Sequence, residues 1–340
     1  VKTIPVREAV GAVLCHDVTR IVPGGQKGPA FRKGHVIRPE DVPELLAIGK
    51  EHIYVLELTP GLLHEDDAAR RISRAAAGPG LTWSGVSEGK VNLLAERAGL
   101  LKVDPEGLAR LNAIEGVAFG TLHTDRRVAA GAPVGGTRVI PLVIEEGKIR
   151  QAEEICRRRH PILQVKPFRP WRVGMVTTGS EVYHGRIPDR FGPVVRQKFA
   201  ELGSEVFSQV LTADDRELTA AAIRRLIAEG AEMVVATGGM SVDPDDQTPA
   251  SIRATGAEVV SYGAPVFPGA MFLLAYLGGV PILGLPGCVM YFRATIFDLI
   301  VPRLLVGERV TRQEIVALGH GGFCPACPEC RYPDCGFGKG

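Results

Sequence analysis

Between Arg172 and Leu305, strand-length apolar runs alternate with helix-length amphipathic ones, and no other feature of this chain constrains its fold as tightly. Residues 172–178, 205–210, 233–237 and 280–285 have strand composition, with a shorter strand at 259–260. Residues 194–202, 218–228, 249–255, 271–276 and 292–305 read as helices. Such an alternation predicts an α/β domain with a mostly parallel sheet and helices on both faces, a three-layer arrangement. Pro167 and Pro170 interrupt any element and set the boundary before it. In folds of this class a ligand sits at the carboxyl ends of the strands. Three of those ends carry glycine here, in Thr178-Gly179-Ser180, Thr237-Gly238-Gly239 and Leu285-Pro286-Gly287.

The rest of the chain divides by pattern into smaller mixed α+β pieces. Residues 1–60 read as a small unit in which Pro39-Glu40-Asp41 opens a helix, Gly49 closes it, and a strand follows at 52–56. An irregular stretch carries PGGQKG at 23–28. Residues 61–168 predict helices at 68–77, 92–98 and 105–114, then short strands between 117 and 149, of which 139–144 is the clearest. The run Arg157-Arg158-Arg159-His160 reads as a solvated helix end before Pro161, with an anion contact as the alternative. The domains expected are therefore 1–60, 61–168, 169–312 and a Cys-rich tail at 313–340.

Charge and hydropathy exclude several classes. Forty basic and 38 acidic side chains leave a formal charge of +2, which does not provide the basic face that nucleic acid demands. No run reaches the ~18–20 apolar residues of a membrane span, since Gly278, Gly279 and Pro281 break the longest candidate. The opening VKTIPVREAV shows no leader pattern, and the expected location is the cytoplasm.

The glycine-bearing loops carry the candidate chemistry. In TTGSE, Gly179 permits close backbone approach, Ser180 offers a hydroxyl and Glu181 a carboxylate; neither a Walker A motif nor GxGxxG is present. In TGGMSVDPDDQTP, Gly238 and Gly239 can present successive backbone N–H groups to an anion, and Ser241 adds a donor. Asp243, Asp245 and Asp246 crowd three carboxylates together, a pattern suited to Mg²⁺ shared with ligand phosphates, or to capping of the helix that follows with Thr248 as cap. Asp214-Asp215 forms a second acid pair, read either as a cap or as a partner of that cluster. Cys288 is either a soft ligand near the site or a small buried thiol.

Seven cysteines include four spaced C-x₂-C-x₂-C-x₄-C at Cys324, Cys327, Cys330 and Cys335. Four thiols this close suggest one metal centre, with an iron–sulfur cluster and Zn²⁺ both open and His320 as a substitute ligand. Disulfides or free thiols are the other readings.

Taken in order, TTGSEV (177–182), GRIPDRFGPVV (185–195), LTADDRELTAAAI (211–223), ATGGMSVDPDDQTP (236–249), FPGAM (267–271) and GLPGCV (284–289) resemble the molybdopterin-binding fold shared by the MoeA and MogA/MoaB proteins. The N-terminal stretches 9–18 and 31–55 are more weakly similar to MoeA. The resemblance implies binding of molybdopterin or its adenylylated form and a place in molybdenum cofactor biosynthesis or insertion. It implies either Mg²⁺-dependent adenylylation or molybdate insertion as the activity, and homo-oligomers as the assembly. Molybdoenzyme apoproteins are the partners it suggests. It puts Glu181, Asp215 and Asp246 at catalytic positions. Thr178, Gly179, Ser180, Gly238, Gly239, Ser241, Thr248, Pro286, Gly287 and Cys288 fall around the cofactor, and Asp243 and Asp246 at a metal. The chain departs from the family pattern in three places. MoeA's Asp-Gly-Tyr-Ala has no counterpart between 20 and 35, Cys288-Val289 stands where Asn-Pro is usual, and Ala270-Met271 replaces Lys-Pro. These changes favour, as an alternative, a non-enzymatic carrier or sensor whose Cys tail serves as a redox or docking module.

Overall fold

The computed structural model describes residues 2–20, 28–55, 60–87, 89–243 and 246–340. Most of the PGGQKG stretch, and Asp245, lie outside the described residues. The chain forms two compact units, one running to Val165 and the other essentially Lys166–Gly340, with Ala98–Leu100 and Asp125–Arg127 counted with the second.

In the first unit, strand Lys2–Pro5 pairs antiparallel with His52–Val55, and a core of Val6, Leu14, Phe31, Ile37, Leu45 and Ile53 gathers around them. After the first strand the chain makes a single 3₁₀ turn, Val6–Glu8. Beyond it, an antiparallel four-stranded sheet is built from Leu81–Trp83, Lys90–Ala95, Pro133–Val139 and Val117–Thr121. Helices Glu65–Ala76, Pro105–Asn112 and Glu146–Arg159 accompany it. The helix expected at 92–98 is thus a strand. Val91, Leu93 and Ala95 are buried in alternation with less buried neighbours, which is the period of a pleated strand. The arginine run does close a helix: Arg157 and Arg158 pair with Glu154, and Arg159 with Asp104.

The second unit is the larger α/β body. Its strands are β1 (Arg172–Thr178), β2 (Glu205–Thr212), β3 (Met233–Thr237), β4 (Glu258–Tyr262), β5 (Leu273–Leu277) and β6 (Val280–Leu285). Its helices are α1 (Ser180–Tyr183), α2 (Phe191–Ala200), α3 (Arg216–Ala228), α4 (Thr248–Ala254), α5 (Cys288–Tyr291), α6 (Ile296–Leu305) and α7 (Arg312–Ala317). The sheet runs β2-β1-β3-β6-β5-β4. Its first four strands are parallel, whereas β5 runs against them and pairs antiparallel with both β6 and the edge strand β4.

That edge corrects the expectation of a helix at 271–276 and narrows the parallel region. Gly278 and Gly279, at φ +55° and +89°, form a two-residue connection in which both central residues are left-handed. This is the turn that matches the twist of a hairpin, so it folds Leu273–Leu277 back against Val280–Leu285.

Alternation along the central strands explains the three layers. Met233 and Val235 face one cluster with Phe199 of α2 and Phe297, Ile300 and Leu304 of α6. Val234 and Ala236 face the other, with Ile223 and Leu226 of α3 and Ile252 of α4. Phe199 and Phe297 meet edge to face at 5.2 Å between centroids, a contact worth about 0.5–1.5 kcal/mol beyond the area it buries. Because both faces are covered, the central strands are apolar throughout, which is why they read as continuous hydrophobic runs. The loops at their carboxyl ends are left as the polar surface of the sheet.

Candidate functional site

Those loops meet at a cleft with two lobes that share Phe191 and Gly238. One lobe, about 370 Å³, is lined by Thr177, Thr178, Glu181, Asp189, Arg190 and Tyr291 among others. The other, about 570 Å³, is lined by the loop Gly238–Ser241, Asp246, the loop Phe267–Met271 and the segment Leu285–Cys288. Each volume falls in the range of small-molecule sites, ~300–1,000 Å³.

The end of β3 is tightly determined. Gly238 and Gly239 take φ +83° and +53°. A Cβ on Gly238 would stand 2.2 Å from the Thr178 carbonyl oxygen, and one on Gly239 would stand 2.8 Å from Thr248 Oγ1. Thr248 is buried; its hydroxyl donates to the Gly238 carbonyl at 2.8 Å and lies 3.2 Å from Thr178 Oγ1. Its backbone N–H donates to Gly239 O at 3.1 Å. The residue expected to cap the next helix, or to touch a ligand, therefore ties the β1 and β3 loops together. It does not line either lobe.

At the end of β1, Gly179 takes φ +143°, and its N–H donates to Thr212 O at 3.2 Å. The Ser180 N–H donates to Asp214 Oδ2 at 2.8 Å. Of the acid pair, Asp214 is thus the member that supports the TTGSE loop. Asp215 instead accepts from Leu218 N at 2.8 Å as the N-cap of α3, and it lines neither lobe. Gly179 and Ser180 likewise support the loop from outside the lining, while Thr178 and Glu181 reach the first lobe.

The remaining acids separate. Asp246 lines the second lobe, whereas Asp243 is exposed and lines neither. Among the described residues no three His, Cys, Asp or Glu side chains converge as an ion would require. The cluster expected from the sequence therefore contributes one described carboxylate, Asp246, to the cleft.

The end of β6 is open by contrast. Gly287 has an ordinary φ of −54°, and a Cβ added there meets nothing within 4 Å. Cys288 beside it is half-buried and lines the second lobe. Burial pushes its thiol up from the ordinary value of 9.0, against the smaller pull of its backbone hydrogen bond and of Lys198. A neutral thiol at physiological pH makes a poor nucleophile.

Three site residues escaped the sequence reading. Asp189 accepts from the Phe191 and Gly192 N–H groups at 2.8 and 3.0 Å, and from Gln209 Nε2 at 2.6 Å. Gln209 also donates to Thr177 Oγ1 at 2.9 Å, which fixes the floor of the first lobe. Phe191 forms the ridge common to both lobes. The signal was the Asp two residues before Phe191-Gly192, an Asx-type turn at a helix start.

The four tail cysteines line a separate cavity of about 410 Å³ in the same unit. No helix among the described residues is long and apolar enough to cross a membrane.

The residues that line both lobes fall within a segment that matches a known family. Residues 174–306 match the family model described as a probable molybdopterin binding domain, and residues 3–57 match a domain of unknown function (DUF8806). The link is thus at the level of a family and of that segment. A CinA-like protein of Mycobacterium sp. (strain MCS) is 38% identical over 90 residues, 26% of this chain and 21% of the relative. One from Mycobacterium tuberculosis (strain ATCC 25618 / H37Rv) is 34% identical over 90 residues, again 26% and 21%. The match spans about a fifth of the length of these relatives. Among solved structures, the molybdopterin biosynthesis enzyme MoaB of Thermus thermophilus is 19% identical with a TM-score of 0.33, covering 41% of this chain and 98% of that one. The tungsten cofactor synthesizing protein MoaB of Pyrococcus furiosus is 22% identical with a TM-score of 0.30, covering 36% and 84%. Likenesses of that size say nothing of what this chain binds.

Proposed function

We propose that the second unit binds molybdopterin, or its adenylylated form, in the two-lobed cleft. The observation that carries the reading is the meeting of three glycine-bearing strand ends around one space, within the segment that matches a molybdopterin-binding family. The residues fit such a ligand. Gly238 and Gly239 leave backbone in place of side chains along the wall, and the open face of Gly287 leaves room for a flat ring. A phosphate is met by main-chain N–H groups and the Ser241 hydroxyl. Two lobes either side of Phe191 suit a ligand with two ends.

A Mg²⁺ would be held by Asp246 together with ligand phosphate oxygens, a usual arrangement for an ion that keeps few protein ligands. There it would neutralise phosphate charge. Glu181 reaches the first lobe and would hold or move a proton there, while Asp189 is engaged by the Phe191 and Gly192 N–H groups and by Gln209. Asp215, as a helix cap, acts on the site only through the loop it steadies.

The carrier reading draws on a specific feature. The second lobe is lined by Ala270, Met271 and Cys288, and no Lys, Arg or His is among its lining residues. A lobe without a cation grips an anion through backbone N–H groups and the Ser241 hydroxyl, which suits binding more than stabilisation of developing charge. Purified protein, oxidised and then denatured, should release a fluorescent pterin. Turnover of added pterin with ATP and Mg²⁺, or of adenylylated pterin with molybdate, that disappears in Asp246→Asn makes the protein an enzyme. Retained pterin with no turnover makes it a carrier, and absence of pterin binding removes both readings.

A further inference from the structure

We propose that Cys324, Cys327, Cys330 and Cys335 close around a single metal centre with four thiolate ligands, separate from the cleft. The inference stands independently of the pterin reading. All four thiols line one cavity, at the spacing C-x₂-C-x₂-C-x₄-C. Ala326, a non-glycine residue at φ +52°, turns the chain between the first two, so that both reach the same space.

The chemistry of the lining selects the ligand. No carboxylate lines the cavity, so hard cations such as Mg²⁺ find no oxygen donors from side chains, whereas thiolates suit Zn²⁺ or iron. Four thiolates around a divalent ion leave a net charge of about −2. Arg293 and Arg331 line the same cavity and offset that charge. Tyr332 and Phe337 provide an apolar wall that lowers the local dielectric and strengthens the pairing.

The stretch between the outer cysteines has no helix or strand to order it. Its two ends are anchored: Phe267 N donates to Gly322 O at 2.7 Å, Cys324 N to Phe267 O at 2.8 Å, and the Tyr332 hydroxyl to Asp298 O at 3.0 Å. Cys324 and Cys335 pack against the core of the unit. Between these anchors residues 325–331 are all exposed and form neither helix nor strand. A short exposed segment with nothing to bury is commonly stapled by a metal. Since no three thiols already stand in ligating positions, binding draws the exposed Cys327 and Cys330 inward onto the two anchored thiols and releases the thiol protons to solvent.

The test uses the full chain, purified under reducing, oxygen-free conditions, incubated with Zn²⁺ or with Fe²⁺ and sulfide, and freed of excess by gel filtration. One metal centre per chain is expected, with four thiols that react only after a chelator is added. Zinc without visible colour identifies a Zn²⁺ site; iron with matching sulfide and visible absorption identifies a cluster. Substituting Co²⁺ should give the ligand-field bands of a tetrahedral thiolate site. Cys327→Ser with Cys330→Ser, both exposed and so harmless to the core, should lose at least tenfold in retained metal while keeping its circular dichroism. Metal-free protein with four freely reacting tail thiols after loading, or equal metal in the double variant, overturns the proposal.

Discussion

The ends of β3 and β6 both carry glycine beside the same cleft, yet their glycines do different things. At β3, Gly238 is held at positive φ with the Thr178 carbonyl where its side chain would go, and Thr248 locks the turn from behind. At β6, Gly287 has ordinary backbone angles and open space around it. The first glycine is required by the protein's own backbone. The second costs the fold nothing, so its lack of a side chain matters to whatever enters the cleft. A glycine-rich loop is therefore evidence of a ligand site only where the space it leaves is unfilled.

The sharpest way to break this comparison is Gly238→Ala. The added Cβ meets a carbonyl oxygen at 2.2 Å on a backbone with φ +83°, and we expect a loss of about 2–4 kcal/mol in urea unfolding. A loss under about 0.5 kcal/mol would mean that the β3 turn relaxes freely. Thr248→Val keeps the shape but removes a buried hydroxyl that donates at 2.8 Å to Gly238 O, leaving partners unsatisfied at a cost of about 1–3 kcal/mol. Its deficit should shrink in the Gly238→Ala background if the two act on one turn. Gly287→Leu should shift stability by less than about 0.5 kcal/mol while blocking the second lobe, so a large destabilisation would remove the contrast. The smallest effect is expected at Cys288. Burial raises its thiol above 9.0, so the thiolate fraction, and with it the alkylation rate, should keep climbing as pH rises beyond that value. A rate already level at neutral pH would mark Cys288 as an activated thiolate.

Legibility in the sequence followed the same divide. The parallel half of the sheet could be read because strands such as Met233–Thr237 are apolar on both faces and end at glycine. The antiparallel edge could not, since the apolar run of β5 fits a buried strand and a buried helix equally by period. Only the pair Gly278-Gly279 held the answer, as a hairpin turn. Residues 92–98 failed similarly, because the partner strand Pro133–Val139 that settles the matter is distant in sequence.

The site was legible as loops and illegible as contacts. Sequence order locates the glycines and acids near strand ends, and the cleft is there. It gives no means of choosing Asp214 over Asp215 as the support of the Ser180 N–H, since adjacent carboxylates differ only in which way the backbone turns them. Nor does it reveal that Thr248 is spent on Gly238, or that Asp189 and Gln209 brace the first lobe across the β1–β2 pair.

The central claim is that the open side of the cleft holds a pterin. Pterin released on oxidation and denaturation should therefore be counted per chain in wild-type protein and in Gly287→Leu, after both have been loaded with molybdopterin and shown to unfold at the same urea concentration. The account predicts close to one pterin per wild-type chain and at least a tenfold reduction in the variant. No pterin on the wild type, or equal amounts on both proteins, would contradict it.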